Sequence, residues 1–134
     1  MCLRGASGAG AALLRAIPDQ RLRAYYAWVP MLPPDSRDAA GAAGRGLAEP
    51  RARHYWDGGL HLSRHVGQAL GVDPAWDLYL AYAPGNPDLA APDLWMHQLP
   101  IDQGTRLDVG VWKQKIQLLL DNAGRSGLTP DPRL

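Results

Sequence analysis

The hydrophobic and polar positions along this chain follow two spacings, one typical of helices and one typical of strands. Apolar residues recur at helical spacing in three segments, and the boundaries carry proline, glycine or aspartate, which start or stop helices. The predicted helices are Leu3–Ile17, Gly58–Leu70 and Val109–Leu120. A glycine-rich stretch over Ala39–Leu47, with Ser36 in front of it, is predicted to be either a weak helix or a loop.

Continuous apolar and aromatic runs predict the strands, because a strand covered on both faces carries apolar side chains at nearly every position. The clearest runs are "LRAYYAWVPML" over Leu22–Leu32 and "AWDLYLAY" over 75–82. A short extended piece is expected at 52–57. Residues 93–99 are expected to return antiparallel after a turn-rich connection, so that they complete a hairpin.

The order of these elements predicts one α/β domain over residues 1–123, followed by a flexible tail, 124–134, that carries glycine, proline and serine. A parallel crossover comes first, and a β-hairpin and a helix form the C-terminal part. The sheet is therefore expected to be mixed. The length of 134 residues fits a single core.

Composition narrows the range of partners. The formal net charge of +1 gives no electrostatic reason to expect nucleic acid, and no apolar run approaches the roughly 20 residues of a membrane span. The apolar patch at Ala9–Leu14 is too short and too rich in glycine for a convincing signal peptide. We therefore expect a cytoplasmic protein with no nucleic-acid partner, no membrane partner and no cofactor, and the oligomeric state stays open.

The histidines are the candidate metal ligands. His61 and His65 are four positions apart on a predicted helix and share a face, with Asp57 one turn earlier as the expected cap. They fall on the polar side of the helix and have no clear third ligand, so we expect a solvated pair and no metal site. His54 and His97 are expected to be packed or surface side chains.

Four stretches resemble uncharacterised bacterial thioredoxin-like proteins: "YYAWVPMLPPDS", "HYWDGG", "AWDLYLAYAPG" and "LWMHQL". Members of that family usually carry Cys-x-x-Cys at the N-terminus of their first helix, and the resemblance implies a thioredoxin-like fold. It puts Cys2 where the redox motif belongs. It also puts Pro74, just before the strand at 75–82, where the family has a cis-proline that shapes the substrate groove, although Pro84 and Pro92 also flank strands.

Two departures from the family pattern follow. A thioredoxin-like sheet has a central strand before the redox motif, and this chain offers no residues for it. We therefore expect a gap roughly one strand wide between the strands at 22 and 75, given that hydrogen-bonded strands are spaced about 5 Å apart. An upstream strand is the favoured explanation, ahead of a different closure of the sheet or a strand from a second chain. The two-cysteine motif is also incomplete. If Cys2 is its first cysteine, Gly5 stands where the second would fall; if Cys2 is its second cysteine, which we favour, the first is expected before Met1.

The expected chemistry is that of one thiol. A cysteine at a helix N-terminus favours the thiolate, which attacks disulfides, so Cys2 is the candidate catalytic residue for exchange with a protein or small-thiol disulfide. A single cysteine forms mixed disulfides but does not resolve them. The alternatives are a Cys2 without function and a non-catalytic thioredoxin-like interaction module, which binds through the edge strand at 93–99 or the groove near Pro74.

Overall fold

The computed structural model of the chain describes residues 5–126. The first helix, α1, is π-helical over Ala6–Ala12 and α-helical over Leu13–Ala16. The other helices are α2 (Arg37–Gly46), α3 (His61–Leu70) and α4 (Val109–Ser126). The strands are β1 (Ala24–Trp28), β2 (Ala52–Trp56), β3 (Leu78–Ala81) and β4 (Leu94–His97).

The parallel crossover is present as the sequence predicts. β1 and β2 are parallel and pair in register along their whole length, and α2 connects them. Ser36 caps α2, because its Oγ accepts a hydrogen bond from the Ala39 N–H at 3.1 Å. The segment for which the sequence left helix and loop open is therefore a helix.

β3 and β4 form the expected antiparallel hairpin. Asp93 holds the connection between them, since its carboxylate accepts hydrogen bonds from the Asn86 side chain at 2.9 Å and from the Ala83 N–H at 2.7 Å. Both hydrogen bonds favour the charged form and lower the pKa of Asp93. The class is thus a mixed α/β fold, with strands shorter than the apolar runs in the sequence suggest.

The parallel pair and the antiparallel pair are separate sheets. Within residues 5–126 no strand precedes β1 and no hydrogen bond joins β1 to β3. The single mixed sheet expected from the sequence is therefore not closed by the described residues. The separation lies where the sequence predicts a gap, between the strands at 22 and 75.

Helix α1 contacts both sheets. Gly10 lies so close to the ring of Tyr26 in β1 that a Cβ at this position would overlap the ring. At the N-terminal end of the helix, Gly5 lies against the hydroxyl of Tyr79 in β3 in the same way. Because neither glycine carries a side chain, one helix packs directly against both pairs of strands.

The main core lies between α1, α4 and the β3–β4 hairpin. Trp112 of α4 donates from Nε1 to the Ala9 carbonyl oxygen at 3.1 Å, so its indole N–H is satisfied inside the core. Val109, which the helical spacing places on the same face, is 45% exposed. The buried members of this core are Ala9, Leu13, Ile17, Ala81, Met96, Trp112, Ile116 and Leu120.

Helix α4 is the longest element. It runs to Ser126, so it includes residues 124–126, which the sequence predicts to be part of a flexible tail. No helix in the described part of the chain has the length and apolar character needed to cross a membrane.

Arg51, directly before β2, is buried and ties this strand to α1. Its guanidinium donates to the carbonyl oxygens of Ile17 at 2.7 Å and Asp19 at 3.0 Å, and also to that of Leu14. The last carbonyl groups of a helix have no partner within the helix, and a cation also suits the negative end of the helix dipole. Glu49 accepts from the Arg51 Nε at 3.0 Å and balances the buried charge.

Replacing Arg51 by methionine is expected to lower the free energy of unfolding by about 2 to 4 kcal/mol, because the carbonyl groups at the end of α1 lose a buried donor. Urea denaturation followed by tryptophan fluorescence measures this loss. Arg53→Met is the matched control, since Arg53 is exposed and its guanidinium donates only to nearby carbonyl groups. It should change stability by less than about 0.5 kcal/mol. Equal losses in both variants would contradict the role given to Arg51.

Candidate functional site

Of the two site residues predicted from the sequence, Pro74 falls in the described part of the chain and Cys2 lies outside it. Pro74 follows α3 and stands shortly before β3. The Asp73–Pro74 peptide bond is cis, and it is the one cis bond within residues 5–126. Pro84 and Pro92, which also flank strands, do not have a cis peptide bond.

A surface groove of about 320 Å³ lies at Pro74. Its walls come from two loops, residues 71–76 before β3 and residues 99–103 after β4. Trp76 is 39% exposed at the groove, whereas Leu99 is buried at its base. Asp73 supplies a carboxylate on one wall. The groove is therefore largely apolar, with Asp73 and Gln103 as the polar side chains among its lining residues.

The backbone of helix α3 lies very close to the backbone of the loop around Pro74, and this contact positions one wall of the groove. The Ser63 Oγ donates to the Ala75 carbonyl oxygen at 2.6 Å, and the Ala75 N–H donates to the Ser63 carbonyl oxygen at 3.0 Å. One turn later, a Cβ on Gly67 would come within 2.8 Å of the Ala75 nitrogen and 2.9 Å of the Val72 oxygen. Only glycine permits this contact, so α3 fixes the backbone on both sides of Pro74.

The N-terminal end of α1 lies beside the same region. Gly5 packs against the side chains of Tyr79 and Gln98. The Tyr79 hydroxyl donates to Gln98 Oε1 at 2.8 Å, and the Gln98 N–H donates to the Asp77 carbonyl oxygen at 3.1 Å. Gln98 directly precedes Leu99, which lines the groove, whereas Gly5 and Gln98 themselves are not among the lining residues.

A second cavity, of about 310 Å³, lies between α2 and β2, with His54 in its wall. The imidazole stacks on Tyr26, with 4.5 Å between the ring centroids, and on Trp28 at 6.1 Å. Trp28 Nε1 donates to His54 Nδ1 at 3.2 Å, so the proton of the neutral ring lies on Nε2. Burial lowers the pKa of His54, against a smaller opposing effect of the Leu47 backbone.

His97 in β4, for which the sequence left a packed and a surface position open, is packed in the interior. It is 1% exposed, and neither ring nitrogen has a hydrogen-bond partner among the described residues. Its backbone N–H donates to the Thr105 oxygen and its carbonyl accepts from Leu107. The loop after β4 therefore covers part of the edge at 93–99 that the sequence offers as a docking edge.

The structure gives no support to a metal-binding site at His61 and His65. Both side chains are exposed on α3, and within residues 5–126 no three histidine, cysteine or acidic side chains lie together as a metal site would require. The helix begins at His61 instead of Gly58, with Leu60 at its N-cap position, so Asp57 does not occupy the predicted cap position. Its carboxylate nevertheless accepts hydrogen bonds from the backbone N–H groups of His61 at 2.8 Å and Ser63 at 2.9 Å in the first turn.

Fold and groove together define a small mixed α/β protein with a surface groove beside a cis-proline. Comparison with protein-family models, with curated protein sequences and with solved structures finds no match to this chain. A thioredoxin-like relationship therefore rests on the sequence resemblance and on the order of the elements.

Gly67→Ala is expected to destabilise the protein by about 1 to 3 kcal/mol, because the new methyl group meets backbone atoms that only move if the Pro74 loop moves. Urea denaturation measures the loss, and the fluorescence of Trp76 reports the displaced loop. Gly46→Ala in α2 is the control: no atom lies within 4 Å of a Cβ there, so stability should stay the same or rise slightly. A Gly67→Ala protein as stable as the control would refute the close approach.

The lowered pKa of His54 predicts a dependence of stability on pH. An unfolded chain, with its imidazole near the ordinary value of 6.5, binds a proton that the folded state resists. The stabilisation that comes from keeping His54 neutral is therefore fully present above pH 6.5. It is lost as the pH falls from 6.5 toward the lower pKa of His54 in the folded state. Urea denaturation across this range should show a shallower slope in His54→Phe than in the native chain. Arg53→Met, on the exposed face of β2, should keep the native slope.

Proposed function

We propose that this chain is a thioredoxin-like protein that carries out thiol–disulfide exchange through Cys2. The groove beside Pro74 receives the polypeptide that carries the disulfide. The observation that supports this is the nearness of the start of α1 to the groove: Gly5 packs against Gln98, which directly precedes the groove residue Leu99. Cys2 precedes Gly5 closely in the sequence, just ahead of the same helix.

The exchange step uses one thiolate and needs no external oxidant. The Cys2 thiolate attacks one sulfur of the partner disulfide, a new S–S bond forms to Cys2, and the other sulfur leaves as a thiolate. The chain has one cysteine, so it has no second thiol to break the mixed disulfide. A small thiol or a thiol of another protein completes the cycle by attacking that bond.

A non-catalytic interaction module is the second candidate function. Trp76 favours it, because a partly exposed tryptophan at an apolar groove is a common anchor for a partner segment. The groove is built from backbone and apolar side chains, and binding there requires no thiol.

Exchange rates with two disulfides test the proposal. Trp76→Ala is expected to slow the reaction of Cys2 with a peptide disulfide by about threefold to tenfold, because the peptide loses a contact that holds it in the groove. The rate with glutathione disulfide, which is too small to need that contact, should stay the same. Stopped-flow measurement with a chromophoric leaving thiol gives both rates.

Tyr55→Ala is the matched control, since Tyr55 is an exposed aromatic residue on β2 and does not line the groove. It should leave both rates unchanged. The exchange proposal fails if the native chain and Trp76→Ala react alike with the peptide disulfide. Binding of the reduced peptide that survives Cys2→Ser and is lost in Trp76→Ala would then support the interaction module.

A further inference from the structure

The cavity of about 310 Å³ between α2 and β2 shares no lining residue with the Pro74 groove and takes no part in the proposed exchange reaction. It exists because α2 carries glycine where it faces the sheet. A Cβ on Gly44 would stand 3.1 Å from Cγ of His54, so this turn of the helix packs directly against the imidazole. Gly41, one turn earlier, has no neighbour so close and borders the open space.

Small residues form most of the cavity wall. Gly41, Gly44 and Ala48 belong to α2 and the loop after it, and Ala52 begins β2. Their short side chains leave backbone and methyl groups at the surface, so they favour an apolar body in van der Waals contact. A volume of about 310 Å³ lies at the small end of the range for ligand sites, so the cavity has room for a small molecule only.

Arg45 gives the cavity a positive charge without a counter-charge of its own. Its guanidinium reaches back over Gly41, where Nη1 is 3.6 Å from the position that a Cβ would take. Within residues 5–126 this guanidinium has no hydrogen bond and no ion pair. A cation that lines a cavity and lacks a partner there is suited to an anionic ligand.

The other two titratable side chains of the lining do not offset this charge. Both carboxylate oxygens of Glu49 are engaged by Arg51: Oε1 accepts from its Nε at 3.0 Å and Oε2 accepts from its backbone N–H at 2.8 Å. His54 is neutral at neutral pH, because burial lowers its pKa below the ordinary value of 6.5. Arg45 is therefore the uncompensated charge of the cavity.

We propose that this cavity binds a small monocarboxylate with an apolar body. The carboxylate accepts hydrogen bonds from Arg45, whose planar guanidinium offers parallel donors to its two oxygens. The apolar body lies against the glycine and alanine wall. One cation suits a single negative charge, whereas a phosphate group carries more charge than Arg45 alone balances. This inference depends neither on Cys2 nor on the Pro74 groove.

Binding of benzoate to the full chain, followed by two-dimensional amide NMR, tests the proposal. The amide signals of Gly41 and Gly44 should shift and saturate with a Kd of about 1 mM, the affinity expected of a ligand with few atoms. Arg45→Gln should raise this Kd about fivefold to tenfold, because it removes the positive charge. Arg37→Gln, on the exposed first turn of α2 and outside the lining, is the matched control and should keep the native Kd.

Two further comparisons separate a carboxylate site from general adhesion. Benzamide has the shape of benzoate without its charge, so it should bind the native chain about fivefold to tenfold more weakly, and Arg45→Gln should not change its affinity. Gly41→Leu fills the space beside Arg45 and should abolish binding. Gly46→Leu lies outside the lining, where no atom is within 4 Å of a Cβ, and should bind like the native chain. Leucine favours helices more than glycine does, so both variants should fold.

Any of four results would overturn the proposal. The lack of a saturable shift with benzoate would remove the site. Benzamide bound as tightly as benzoate would show that the cavity does not recognise charge. An unchanged Kd in Gly41→Leu would place the binding elsewhere on the chain. Equal weakening by Arg45→Gln and Arg37→Gln would reduce it to a general attraction between the anion and a basic surface.

Discussion

One helix carries the connection between the two pairs of strands, and its small residues make that connection possible. Gly10 against Tyr26 and Gly5 against Tyr79 bring the axis of α1 close to both sheets, which share no hydrogen bond in the described part of the chain. Arg51 fixes the C-terminal end of α1, since its guanidinium holds the last carbonyl groups. The relative position of the sheets thus depends on side-chain packing and one buried cation, instead of a continuous backbone ladder.

A second close approach fixes the groove. Asp57 binds N–H groups in the first turn of α3, and Ser63 and Gly67 bring that helix against the backbone around Ala75. The backbone on the Pro74 side of the groove is therefore held by α3, whereas the other wall comes from the loop after β4. Asp73 is the one charged side chain among the lining residues, so a ligand bound there would meet mainly apolar and backbone groups.

The sequence predicted what depends on local chemistry. The αL glycine at Gly71 that ends α3 and the apolar spacing of α4 are local signals, and the structure follows them. Asp57 binds N–H groups in the first turn of α3, although the helix begins at His61 and not at Gly58 as predicted. The burial of Arg51 escaped prediction and that of His97 stayed open, because both depend on elements distant in sequence. The groove at Pro74 came from the family resemblance, and no hydrophobic pattern indicated its second wall at 99–103.

The packing also explains why the two halves of the fold are unequal. The hairpin shares a core with α1 and α4, whereas β1 and β2 have helices on the side of Tyr26 and His54 only. On their other side Tyr25 and Tyr55 stack at 6.4 Å while 68% and 56% exposed. Parallel sheets are normally covered on both faces. In the described part of the chain, the face that carries Tyr25 and Tyr55 is therefore the less covered side of the parallel pair, and its two rings shield one another in place of a helix.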